Sequence, residues 1–271
     1  MMGDPQTTSP ANRGLYYGDG LFETVRFDAR CGGYVGPDGH WKRLHSGAKR
    51  LGLYISENVF MGFVPTAEKA AVRWTFWRRG GPSYFSDENA ADALVESRPI
   101  VGEREPVRLR VSSQRVAPSA FSRFKTLNGL GYVLAARETH PDVALLLSHR
   151  RSGGVPLVAC AAGYNIFFVK DGRKLYTPPL ATGCVAGTLR EFILTHAREA
   201  DMDAMVAPIK YDEIFEFDGA VLTNAVALFR PVVSINGQDY GIPEGGIAAK
   251  LERLLASHGR LSTDELVWGN R

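Results

Sequence analysis

Apolar and polar positions alternate across residues 21–27 (Leu-Phe-Glu-Thr-Val-Arg-Phe), the period of a strand with one buried face. Over residues 41–53 the apolar positions recur at helical spacing, with Lys and Arg on the opposite face. Alternation returns at 72–77 and 107–111, which read as antiparallel strands, and Gly80-Gly81-Pro82 marks a turn. A helical pattern covers 127–138. A near-continuous apolar run at 143–147 is consistent with a buried strand. Residues 164–170 and 174–177, joined at Asp171-Gly172, read as a hairpin. Helical spacing covers 187–200, strands are expected at 219–224 and 232–235, and an amphipathic helix spans 247–257.

Strands and helices mixed without strict βαβ alternation predict an α+β fold. The Pro- and Ser-containing stretch 116–124 reads as a connector. It separates a smaller N-terminal α/β unit (1–115) from a larger C-terminal unit (125–271). At 271 residues and 45% hydrophobic, the chain can bury a substantial core. The net charge of +3 is dispersed, so no basic stripe for nucleic acid is seen. Three distant cysteines, Cys31, Cys160 and Cys184, give neither a disulfide framework nor a CxxC metal pair. The N-terminus has no apolar leader and no run reaches the roughly 18 apolar residues of a membrane span, so a soluble cytoplasmic protein is expected. No HExxH, GxSxG, GxGxxG or P-loop occurs.

The chemistry-bearing candidates lie elsewhere. Lys125, preceded by an apolar residue and followed by a helical pattern, can be desolvated into a nucleophilic amine; the plain alternative is a surface charge. Arg43 can clamp a phosphate bidentately or be one more charge on a solvated helix face. Gly187 opens a helix whose first N–H groups, at Thr188 and Leu189, form an anion site by geometry, or simply a helix start. Asn224 and Ala225 end a strand and can add a further N–H to that anion, or merely turn.

Taken in order, several motifs resemble those of the class IV aminotransferases, the fold-type-IV pyridoxal phosphate enzymes. The matching segments are RGLYYGDGLFETVR at 13–26, HWKRL at 40–44, KTLN at 125–128, NIFFVKDGRKLYTPPL at 165–180, GCVAGTLR at 183–190, and TNA through PV at 223–232. The resemblance implies a two-domain fold like that of D-amino-acid aminotransferase, and a homodimer with its active site near the subunit interface. It implies that Lys125 carries pyridoxal 5'-phosphate and then serves as the general base. Arg43, with the N–H groups of Thr188, Leu189 and Ala225 and with Asn224, would hold the cofactor; position 225 often carries a hydroxyl in the family. Phe22 and Glu23 fall on the active-site strand. Arg73 and Arg78 fall where relatives bind a substrate carboxylate, or they are strand-face charges. The family places a glutamate, partner of the pyridine nitrogen, five residues before the Asn of NIF. Here that count lands on Cys160, whose neutral thiol cannot stabilise a pyridinium as a carboxylate does. The implied activity is an aminotransferase acting on an amino acid and a 2-oxo acid. A 4-amino-4-deoxychorismate lyase is the alternative, and a non-catalytic relative with an impaired cofactor site the second.

Overall fold

The computed structural model describes residues 12–60, 62–101, 105–241 and 246–261. Its elements are, in order, α1 (Arg13–Tyr17), β1 (Gly20–Asp28), β2 (Gly33–Tyr34), α2 (Pro37–Leu51), β3 (Lys69–Arg78), β4 (Ala91–Pro99) and β5 (Val107–Val116). They continue as α3 (Leu130–Thr139), β6 (Val143–Ser152), β7 (Val155–Ala161), β8 (Asn165–Lys170), β9 (Lys174–Thr177), α4 (Thr188–His196) and β10 (Asp203–Val206). Last come β11 (Gly219–Asn224), β12 (Leu228–Ile235), β13 (Gln238–Asp239) and α5 (Ile247–Ser257). The strands make a four-stranded sheet, β2-β1-β3-β4, and a nine-stranded sheet, β10-β9-β8-β11-β12-β5-β6-β7 with β13 beside β12. The α+β class read from the pattern is the class observed. Among the described residues no helix is long and apolar enough to cross a membrane.

The small sheet buries one face under α2. Leu21 and Val25 of β1 meet Leu44 and Ala48 of α2 and Trp74 and Phe76 of β3. The large sheet is covered on both faces, which explains the unbroken apolar run of β8. Phe167 and Val169 pack under α4 and α5, whereas Ile166 and Phe168 face the core that contains Val107, Leu109 and Ile214. The sheet curls until the end of β7 meets the start of β8, where Ala161 and Tyr164 exchange backbone hydrogen bonds of 3.1 and 3.0 Å.

Several expectations need correction. The strand expected at 107–111 is not antiparallel and does not belong with 72–77. As β5 it lies in the large sheet, parallel to both β12 and β6. The two sheets therefore divide between Pro99 and Val107, ahead of the connector expected at 116–124. The helix expected from 127 starts at Leu130, because the preceding residues pair with β1 instead. Phe22 N–H donates to Lys125 C=O (2.8 Å) and Leu127 N–H to Gly20 C=O (3.1 Å). The helix at 187–200 ends as α-helix at His196 and tightens into a 3-10 turn over Ala197–Ala200.

Gly20 opens β1 opposite Trp77, and an added Cβ there would sit 2.1 Å from the Phe76 carbonyl oxygen. That oxygen is backbone and cannot move aside. Gly20→Ala should therefore destabilise by at least about 1–3 kcal/mol, read as a fall in urea midpoint. Gly81→Ala, with nothing within 4 Å of the new methyl, should leave the midpoint nearly unchanged.

Candidate active site

Phe22 and Glu23 are adjacent on β1 and point to opposite faces of the strand. Phe22 lines a cavity of about 800 Å³ between the two sheets. Glu23, 1% exposed, lies behind it. Its carboxylate accepts two hydrogen bonds from Arg43 (Nε, 2.7 Å; Nη2, 2.6 Å) and one contact from His40 Nδ1 (2.7 Å). His40 and Arg43 lie one turn apart on α2, so both reach the same carboxylate. Arg43 Nη1 donates onward to the Ala186 carbonyl at 2.8 Å, and His40 Nε2 lies 3.2 Å from the Thr188 hydroxyl. Burial holds the His40 pKa below its ordinary value, partly offset by Glu23, so the ring is neutral. We therefore assign Nδ1–H as donor to Glu23 and Nε2 as acceptor from Thr188. Burial alone would raise the Glu23 pKa. The Arg43 charge and the hydrogen bonds from His40 and Arg43 outweigh it and hold the group at about 2.

Lys125 is fixed by the backbone pairing of its segment with β1, and its Nζ sits 4.2 Å from the centre of the Phe22 ring. Burial, with the nearby charges of Arg43 and Arg73, brings its pKa down from 10.5 to about 8, against a smaller opposing pull from Glu23. Arg73 lies over the same Phe22 ring at 3.9 Å, its Nε 3.2 Å from Thr75 Oγ1, and is itself outside the cavity lining. Arg78 is committed elsewhere. It donates to Asp19 (2.9 Å) and to the carbonyls of Leu51, Gly52 and Glu88, bracing the turn after α2 rather than facing the cavity.

The opposite wall is the start of α4. Gly187 is required there, because a Cβ would fall 2.0 Å from Asn165 Oδ1, and Asn165 Nδ2 in turn donates to the Val185 carbonyl at 2.9 Å. Thr188 and Leu189 thus begin a helix at the cavity wall. Asn224 Oδ1 accepts from Val226 N–H (3.0 Å) and Ala227 N–H (2.7 Å), folding the end of β11 so that Ala225 also lines the cavity. Cys160 lines it as well. Tyr132 packs against the same buried cluster, and burial and the neighbouring Cys184 push the thiol's pKa up to about 12, against a smaller downward pull from Tyr132.

Sequence reasoning passed over three of these groups. His40 stood in the quoted HWKRL motif, and its position one turn before Arg43 was the available signal. Thr223, 1% exposed, lines the cavity with no hydrogen-bond partner for Oγ1 among the described residues. Tyr132 had no signal, since its tie to Cys160 arises only when α3 meets β7.

The family profile described as amino-transferase class IV matches residues 20–235. The chain belongs to the class IV aminotransferase family. It is 27% identical to an aminodeoxychorismate lyase of Bacillus subtilis (strain 168), an alignment covering 91% of this chain and 87% of that relative. The crystal structure of a 4-amino-4-deoxychorismate lyase from Pseudomonas aeruginosa superposes with a TM-score of 0.81 at 25% identity, over 94% of this chain and 96% of that one. A branched-chain aminotransferase from Thermoproteus uzoniensis, 24% identical, shares the fold with a TM-score of 0.79, over 97% of this chain and 93% of that one.

Members of this family use pyridoxal phosphate. The residues present fit that group at two of its ends. Lys125 offers a desolvated amine for the aldehyde. The start of α4 and the Arg43 side chain both line the cavity, and a helix start and a guanidinium suit an anion. The ring-nitrogen end differs. Among the described residues lining the cavity the one carboxylate is Asp19, held by Arg13 (3.0 Å) and Arg78 (2.9 Å).

Two measurements follow from the titrating groups. Glu23 is displaced from 4.5 to about 2 on folding, so its contribution is present above pH 4.5 and disappears as pH falls toward 2. Glu23→Gln should cost on the order of 3 kcal/mol at pH 7. The gap to wild type in denaturant titrations should close progressively in acid. Competitive acylation should titrate Lys125 with a midpoint of about 8, well below the 10.5 of an ordinary lysine. A midpoint near the ordinary value would show the amine to be solvated.

Proposed function

We propose that this protein is a pyridoxal-phosphate-dependent aminotransferase, moving an amino group between an amino acid and a 2-oxo acid. The observation that carries this reading is the placement of Lys125, an amine buried against the Phe22 ring at a cavity whose far wall is a helix start suited to an anion. Bound there, pyridoxal phosphate supplies the electron sink that acidifies the substrate Cα–H. Arg43 and the N–H groups of Thr188, Leu189 and Ala225 hold the phosphate, and Glu23 and His40 keep Arg43 and Thr188 in place. Lys125 Nζ, neutral in a useful fraction near pH 8, moves the proton at the substrate α-carbon. Arg73, close to both Phe22 and Lys125, attracts the substrate carboxylate. Cys160 and Tyr132 take the place of the expected carboxylate, and a thiol whose pKa is about 12 supplies no anion at neutral pH. A homodimer is part of this proposal.

The second reading, an aminodeoxychorismate lyase, is favoured by the relatives of that name, which align along more than nine-tenths of this chain in both sequence and structure.

Borohydride reduction in the presence of pyridoxal phosphate, followed by peptide mapping, should label Lys125. A label on another lysine, or none, overturns the cofactor assignment. With the cofactor bound, a single turnover with an amino acid should release a 2-oxo acid and leave the pyridoxamine form. Pyruvate and 4-aminobenzoate released from aminodeoxychorismate without an acceptor would give the activity to the lyase reading.

A further inference from the structure

Away from the cavity, three side chains with metal-ligating atoms meet where the end of α4 faces the end of α5. His196 is the last residue of α4, Glu199 lies in the 3-10 turn Ala197–Ala200, and His258 follows the last turn of α5. His196 Nδ1 lies 2.8 Å from Glu199 Oε1, and His258 Nε2 lies 2.8 Å from Glu199 Oε2. The two imidazole centroids are 4.4 Å apart. Both rings pack on Phe192, at 4.7 and 5.2 Å, which fixes their rotation. One nitrogen of each ring and a carboxylate oxygen thus lie within 4.8 Å of one another.

We propose that His196, Glu199 and His258 bind a divalent transition-metal ion of the zinc class. Two imidazoles and a carboxylate suit Zn²⁺, Co²⁺, Ni²⁺ or Cu²⁺, whereas Mg²⁺ and Ca²⁺ prefer an all-oxygen set. The three-residue set leaves a fourth position for water, and the side chains, 29%, 53% and 29% exposed, are open to it. The hydrogen bonds to Glu199 already hold one nitrogen of each ring against the two oxygens of a single carboxylate. An ion entering there takes the lone pairs of these nitrogens as their protons shift to the other ring position, replacing two N–H···O contacts by bonds of about 2.0–2.1 Å.

A surface carboxylate between two histidines is also a plain hydrogen-bonded staple, and this one joins residues 59 positions apart in sequence. The two readings differ in what an added ion does. Metal would lock the end of α5 onto α4, beneath the core formed by Phe192, Ile193, Leu251 and Leu255.

The test uses the full, untagged chain. Zn²⁺ should bind with one-to-one stoichiometry by calorimetry and raise Tm, and Co²⁺ should give visible d–d bands without a thiolate charge-transfer band. His196→Ala and His258→Ala should each weaken Zn²⁺ binding by more than about tenfold, since loss of even an outer partner costs about 10–100-fold. Glu199→Gln keeps the size of the side chain while removing its charge and one of its two acceptor oxygens. It should weaken binding likewise, which guards against a histidine variant that fails to fold. Absence of Zn²⁺ binding up to millimolar concentration would overturn the proposal. Undiminished binding in all three variants, or a thiolate band showing that cysteines take the metal, would do the same.

Discussion

The cavity depends on one buried anion. Glu23 is charged, almost inaccessible to water, and would be costly to bury alone. Its full set of partners makes it tolerable, and those partners also reach across to the start of α4. Arg43 reaches from Glu23 to Ala186, and His40 from Glu23 to Thr188, so β1, α2 and the start of α4 are tied through a single carboxylate. The geometry at the α4 wall of the cavity is therefore a consequence of charge compensation on the far side of β1.

The same arrangement explains the state of Lys125. Its amine lies near two guanidinium groups, Arg43 and Arg73, which work with burial against its positive charge, while the Phe22 ring offers it a π face at 4.2 Å. Glu23 would restore the charge but is already committed to Arg43 and His40. A cavity lined by Arg43, Arg98, Arg115, Lys125 and Arg190, with Asp19 as the one carboxylate among the described residues, favours anionic occupants.

What could be read from sequence was what local pattern determines. The alternation of β1, the Asp171-Gly172 hairpin and the helical spacing of α2 and α5 all follow from period and turn chemistry. So did the position of Lys125, because it lay in a collinear series of motifs. β4 escaped notice because its residues are largely exposed and carry little alternation. The parallel pairing of β5 is non-local and leaves no mark on the segment itself. Arg73 and Arg78 could not be told apart by spacing. The difference lies in where carbonyls from another turn happen to sit, at Leu51, Gly52 and Glu88. His196 and His258 carried no pattern at all, since they lie far apart in the chain and meet only once α4 and α5 pack on a shared core.

The backbone bond from Phe22 N–H to Lys125 C=O has a dimensional consequence. Phe22 anchors the lysine segment and Glu23, the next residue, anchors Arg43. The separation between amine and guanidinium is thereby referenced to two successive residues of a single strand. Loops of the small sheet can lengthen, and the sheets can breathe against each other, without those errors accumulating at this pair. Tolerance in the scaffold and accuracy at this pair are thus decoupled by the choice of a common datum, β1.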